Sequence, residues 1–134
     1  MKRKIMAVTL TAAMLAGLAA VPVWADDAGS DEGKVLNIYC WNEEFKSRLT
    51  DHYPGYEEVD GTHGKIGDVD VVWNITPSDD NAYQNNLDET LLKQADAAAD
   101  DKIDLFLVEA DYALKYVNTD YTMSVADLGI TDEE

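Results

Sequence analysis

The chain has 134 residues, enough for one domain of ordinary size, with 27 acidic against 10 basic residues and a formal charge of −17. An excess of that size argues against nucleic acid or an anionic membrane as partner, since phosphate binding needs a basic surface. Acidity otherwise reports on solubility and says little about a ligand.

At the N-terminus Lys2, Arg3 and Lys4 precede an Ala-rich apolar run from Ile5 to Val21, and Val23-Trp24-Ala25 forms a small-residue cleavage pattern. A membrane anchor is the competing reading, because a spanning helix needs roughly 20 apolar residues. Thr9, Thr11 and Gly17 dilute the run and Pro22 ends it, so residues 1–25 read as a cleaved export signal. Its removal takes away three basic residues and leaves a charge near −20 (27 acidic, 7 basic). The stretch Leu15-Ala16-Gly17-Leu18 has Leu18 where a lipoprotein signal carries cysteine, so no lipid attaches there. The expected location is periplasmic or extracellular, at the cell envelope.

Residues 26–33, "DDAGSDEG", are acidic, lack periodicity and read as a flexible linker. Lys34 to Trp41 is rich in β-branched and aromatic residues and predicts a first strand. A helix follows, with Asn42 as N-cap, Glu43 and Glu44 in its first turn, Phe45 and Leu49 four apart, and Pro54-Gly55 as its stop. Glu58 falls on the loop beyond it. A Gly-rich turn then leads into a second strand with Val69, Val71 and Trp73 on one side.

After Pro77, the cluster Ser78, Asp79 and Asp80 reads as the cap of a helix that carries Tyr83, Leu87 and Leu91 at spacing four. Lys102 to Val108 predicts a third strand and Asp111 to Val117 a short third helix. The tail is irregular, with a stop at Gly129. The order β-α-β-α-β-α is that of an α/β fold with a parallel sheet, right-handed crossovers and helices on the faces. Cys40, the only cysteine, cannot form an internal disulfide and reads as a small buried apolar residue.

In parallel sheets, ligands bind beyond the carboxyl ends of the strands. Two polar-aromatic clusters fall there: Trp41, Asn42 and Glu43 after the first strand, and Glu109, Asp111 and Tyr112 after the third. Aromatic plates suit the C–H faces of a sugar, and carboxylates and an amide suit its hydroxyl rim. Each residue also has a plainer explanation: Trp41 as a core aromatic, Glu43 and Glu44 as helix N-terminal charge, and Asp111 as an N-cap. The alternative function is a small secreted carbohydrate-active enzyme domain working through paired carboxylates. Nothing in the sequence sets the separation of such a pair. His52 and His63 have no metal spacing, no serine lies in GxSxG, and "GTHGKIG" is not a phosphate loop. No catalysis, cofactor or metal is expected. Asn74-Ile75-Thr76 matches a glycosylation acceptor, a short pattern with many false matches.

At "VLNIYCWNEEF", "WNITPSDDNAYQNNLDETL" and "DKIDLFLVEADYALKYVNTDYTMSVADLGIT" the chain resembles extracellular solute-binding proteins, in particular the carbohydrate-binding components of bacterial ABC importers. The resemblance runs from about Lys34 to the last residue. It implies two α/β lobes joined by hinge strands that close over a sugar or oligosaccharide, with membrane permease subunits as partners and a monomeric state. Residues 34–134 would be part of the first lobe, a truncated piece of a longer protein. Trp41, Asn42, Glu43, Glu109, Asp111 and Tyr112 would face the cleft. The expectation for such a piece is a sheet of at most three strands, marginal stability and weak sugar affinity.

Overall fold

A computed structural model describes residues 33–117 and 119–130. The expected export signal, and all of the expected acidic linker but Gly33, lie outside the described residues. The elements are β1 (Val35–Cys40), α1 (Glu44–His52), β2 (Tyr56–Glu58), β3 (His63–Ile66), β4 (Val69–Ile75), α2 (Ala82–Leu91) and β5 (Leu105–Phe106), with short 3-10 turns between and after them. The chain is therefore mixed α/β, as its alternating patterns predict.

The sheet has the order β2-β3-β4-β1-β5. β1 is central and parallel to both β4 and β5, with Ile38 opposite Trp73 on one side and Leu105 on the other. These three strands are the ones read from the sequence. The expectation of an all-parallel sheet of at most three strands is corrected by β2 and β3, which add an antiparallel hairpin beside β4. Ile66 pairs with Val69 across the two-residue loop Gly67-Asp68, and Gly67 has φ +60°. A loop of two residues with a left-handed glycine first matches the right-handed twist of hairpin strands. β2 escapes a pattern search because its three residues include two exposed glutamates and only Tyr56 turned inward.

Alternation along β1 distributes the core over both faces of the sheet. Ile38 and Cys40 join Val71 and Trp73 under α1, where Phe45 and Leu49 pack with Tyr56 and Ile66. Tyr39 and Trp41 point to the opposite face, against Tyr83, Leu87 and Leu91 of α2 with Ile103 and Tyr116. Cys40 is fully buried, as its residue type predicts, and burial pushes its thiol up.

Local readings shift by small amounts. Asn42 lies one residue before the cap position of α1, and its Oδ1 accepts the Glu44 N–H at 3.0 Å. Ser78, Asp79 and Asp80 do not cap α2; they lead into a 3-10 turn, and Asn81 precedes the helix. Asp80 (φ 51°) and Asn81 (φ 59°) take the left-handed conformation there, which short polar side chains tolerate best. The third helix reduces to the 3-10 turn Ala113–Lys115. Gly129 ends the last turn, Val125–Leu128, at φ +82°.

The third strand shrinks from seven residues to two because side chains take the backbone groups on either side of it. Asn37 donates its amide to the carbonyls of Asp100 (2.8 Å) and Lys102 (2.9 Å). Gln94 clamps Ile103 through both its N–H and its carbonyl, at 2.9 and 2.8 Å. Beyond the strand, the Leu107 carbonyl accepts from the Tyr83 hydroxyl.

Glu58, expected on a loop, is the last residue of β2 and pairs with Lys46 at 3.2 Å. Lys46 is the buried residue of α1, and its ammonium also donates to the Gly61 carbonyl at 2.7 Å, which ties the helix to the hairpin loop. In the same loop, Asp60 accepts the backbone N–H groups of Thr62 and His63 and lies 2.9 Å from the His63 ring. These hydrogen bonds, Thr62 first, hold its carboxyl at about 2. A lowered folded pKa contributes stability that is present above the unfolded value, about 3.9, and is lost as pH falls through about 2. The Asp60 carboxyl carbon, followed by NMR, should titrate near the lower value, and a midpoint near 4 would remove these bonds from the solution structure.

Candidate functional site

The parallel strands β1, β4 and β5 end on one side of the sheet, at Cys40, Ile75 and Phe106. The chain leaving β1 supplies Trp41, Asn42 and Glu43, and the chain leaving β5 supplies Glu109, Asp111 and Tyr112. Trp41 is half-buried. Its indole meets the Tyr83 ring edge-on, with centroids 5.5 Å apart and planes at 76°. It thus belongs partly to the core, as the plainer reading has it. It also lines a cavity of about 180 Å³ with Asn42, Glu44, Phe45, Arg48 and Leu107.

Glu43 is exposed and lies outside this lining; its carbonyl accepts the backbone and hydroxyl of Ser47. Glu44 takes its place at the cavity, bound to Arg48 at 2.7 Å one helical turn on. An exposed pair of this kind contributes a few tenths of a kcal/mol. It orients the guanidinium along the cavity wall.

On the β5 side, Glu109 and Asp111 are exposed. Asp111 is not a helix cap, because the turn that follows is preceded by Tyr112. Tyr112 is half-buried and stands edge-on to Tyr116, centroids 6.3 Å apart. Partial burial raises its phenol above the ordinary range, a backbone hydrogen bond at Glu109 opposes this, and the charges of Glu109 and Asp111 add to it. The three residues of this cluster therefore share one electrostatic environment. Trp41 and Tyr112 pack against the same core cluster, although Tyr112 does not line the cavity at Trp41.

Tyr83 links the two clusters. It is almost wholly buried, and its hydroxyl lies 2.7 Å from the Leu107 carbonyl and 3.1 Å from that of Tyr39. One proton is shared between the ends of β1 and β5, while the ring supports Trp41. Burial drives this phenol far above its usual range. The sequence shows Tyr83 only as part of an apolar stripe. The available signal is chemical, since a buried tyrosine hydroxyl needs a partner and can therefore join strands. Asp88, one turn further along α2, accepts from the Tyr116 hydroxyl at 2.9 Å and from Lys115, and so holds the 113–116 turn in place.

Asn74 lies in β4 opposite Tyr39, and its amide nitrogen is enclosed without a hydrogen-bond partner. The amide nitrogen of the Asn74-Ile75-Thr76 pattern is therefore enclosed in the folded protein.

Larger cavities lie elsewhere on the surface, and one of them reaches the end of β5 at Phe106 and Val108. One of about 590 Å³ sits past the end of α2, lined by Leu92, Gln94, Asp120 and Tyr121 among others, and one of about 630 Å³ runs along β5. Among the described residues there is no group of three or more His, Cys, Asp or Glu side chains that could hold a metal ion. Among the same residues no helix is long and apolar enough to cross a membrane. In comparisons with known proteins, no family model, no curated protein and no solved structure matches the chain.

Proposed function

We propose that the chain is part of an exported solute-binding protein of an ABC importer and contributes one wall of a cleft for a sugar or oligosaccharide. The observation that carries the reading is the arrangement of Trp41 and Tyr112. They follow adjacent parallel strands, pack on one cluster, and have Glu43, Glu109 and Asp111 exposed beside them. Half-buried aromatic rings with carboxylates at their margins complement a ligand with apolar faces and hydroxyl edges. The resemblance in the sequence supplies the class of protein. Export, the permease partner and a second lobe rest on that resemblance and on the N-terminal pattern.

The test is calorimetric titration of neutral mono- and oligosaccharides. In a full-length, two-lobed version, Trp41→Ala and Tyr112→Ala should each weaken binding by roughly 1–3 kcal/mol, the range of a well-placed aromatic contact. Affinity unchanged in both variants would move the site elsewhere, and turnover of any of the sugars would favour a hydrolase.

A further inference from the structure

Glu44 and Arg48 border the cavity at Trp41, and their bonding to each other leaves part of each group unused. Arg48 Nε and Nη2 both donate to one oxygen of Glu44, Oε1, at 3.2 and 2.7 Å. Among the described residues, Glu44 Oε2 and Arg48 Nη1 have no hydrogen-bond partner, and both side chains reach solvent. Asn42 is fixed in a similar way. Its Oδ1 accepts the Glu44 N–H, and its Nδ2 has no partner among the same residues. The cavity therefore has donors from Asn42 and Arg48 beside an acceptor from Glu44, with apolar surface from Trp41, Phe45 and Leu107.

Such a set discriminates between ligands. A sugar hydroxyl both donates and accepts, so two neighbouring hydroxyls can serve Glu44 and Arg48 together. A carboxylate only accepts. It could bind Arg48, but it would lie against the charge of Glu44, on a chain whose net charge is already −17. Size narrows the ligand further. The cavity of about 180 Å³ is smaller than pockets for drug-sized ligands, roughly 300 Å³ and upward, and suits a single sugar ring.

Building on the sugar site proposed at the strand ends, we propose that Glu44 and Arg48 set its specificity. Together they bind a vicinal diol of one uncharged sugar ring that lies on Trp41. One hydroxyl donates to Glu44 Oε2, its neighbour accepts from the Arg48 guanidinium, and Glu44 excludes acidic sugars.

Chemical-shift titration of the full chain tests this, because it reads weak binding. The ligands are methyl glycosides of glucose, galactose and mannose, each with its uronic acid counterpart. The Trp41 indole N–H signal should move with at least one neutral glycoside. That glycoside should bind at least about fivefold tighter than its acid, the effect of one unit charge at contact distance in water. Glu44→Gln keeps the shape and removes the charge, so the preference should shift toward the acid by about the same factor. Glu57→Gln removes an exposed charge from β2 and should leave the preference as in the parent. Arg48→Met keeps a good helix former, so circular dichroism should be unchanged while affinity for the neutral glycoside falls. A preference equal in Glu44→Gln and the parent, with Trp41 still responding to sugar, would overturn the specificity role and leave the sugar site standing. So would undiminished neutral binding by Arg48→Met. No response of Trp41 to any glycoside would remove the sugar site itself, and the role of the pair with it.

Discussion

Replacing Tyr83 with alanine is expected to cost about 3–5 kcal/mol of stability, the range for deleting a buried aromatic side chain. The ring is almost wholly enclosed among Leu87, Leu91 and Trp41, so its loss leaves a cavity that its neighbours cannot fill without moving. Tyr83→Phe separates the hydroxyl from the ring. It keeps the packing but leaves the Leu107 carbonyl without its 2.7 Å donor, at a cost of about 1 kcal/mol. Denaturant unfolding gives both differences, and hydrogen exchange shows where they act. The phenylalanine variant should exchange faster at the amides following β5, where Glu109 and Tyr112 lie, while α1 is unchanged. Equal stability of Tyr83→Phe and the parent would mean that the hydroxyl makes no net contribution to joining the strand ends. The pH dependence has a definite sign. Tyr83 and Tyr116 both have raised folded pKa values, so the unfolded chain releases these protons first. Stability should decline as pH rises past about 10, where an unperturbed tyrosine ionises.

The parts of this fold that follow strong periodicity are legible in the sequence. Leu36, Ile38 and Cys40 alternate with Tyr39 and Trp41, and the two sets do go to opposite faces of the sheet. Tyr83, Leu87 and Leu91 recur at spacing four and form the buried stripe of α2. The hairpin escapes a pattern search because its inward side is only Tyr56, Gly64 and Ile66, while Glu57, Glu58 and Lys65 give its strands the composition of a loop. The third strand reads too long for the opposite reason. Its apolar run is genuine, but Asn37, Gln94 and Tyr83 take the backbone groups that a longer ladder would have used. Such side-chain bonds join residues 9 to 65 positions apart, beyond the reach of any local pattern.

The candidate site divides in the same way. Strand ends can be found from composition, and in the fold the two clusters follow β1 and β5. Which side chains share a cavity depends on helix phase. A shift of one residue at the start of α1 puts Glu44 and Arg48 at the cavity wall and leaves Glu43 outside it.

Gly64→Ala is the second substitution with a large expected effect, and it tests the hairpin directly. Gly64 is buried in β3 opposite Glu58, and the Tyr56 ring lies across its α-carbon. A β-carbon there would overlap the phenol oxygen and the adjoining ring atoms. The ring cannot easily swing aside, because its hydroxyl accepts the Trp73 indole N–H at 3.0 Å and its face packs edge-on to the Trp73 ring. Alanine must therefore displace Tyr56, break that hydrogen bond and disturb Trp73, one of the most buried residues under α1. Overpacking of this kind costs about 1–3 kcal/mol. The double variant Gly64→Ala, Tyr56→Ala separates the ring clash from a simple strand-propensity effect. With the ring gone, the added methyl has room, so the glycine substitution should become nearly neutral in the Tyr56→Ala background. Contacting residues show such coupling, whereas independent sites add. Additive losses in denaturant unfolding would mean that Tyr56 does not lie over Gly64 in solution, and the register of β2 against β3 would have to be redrawn.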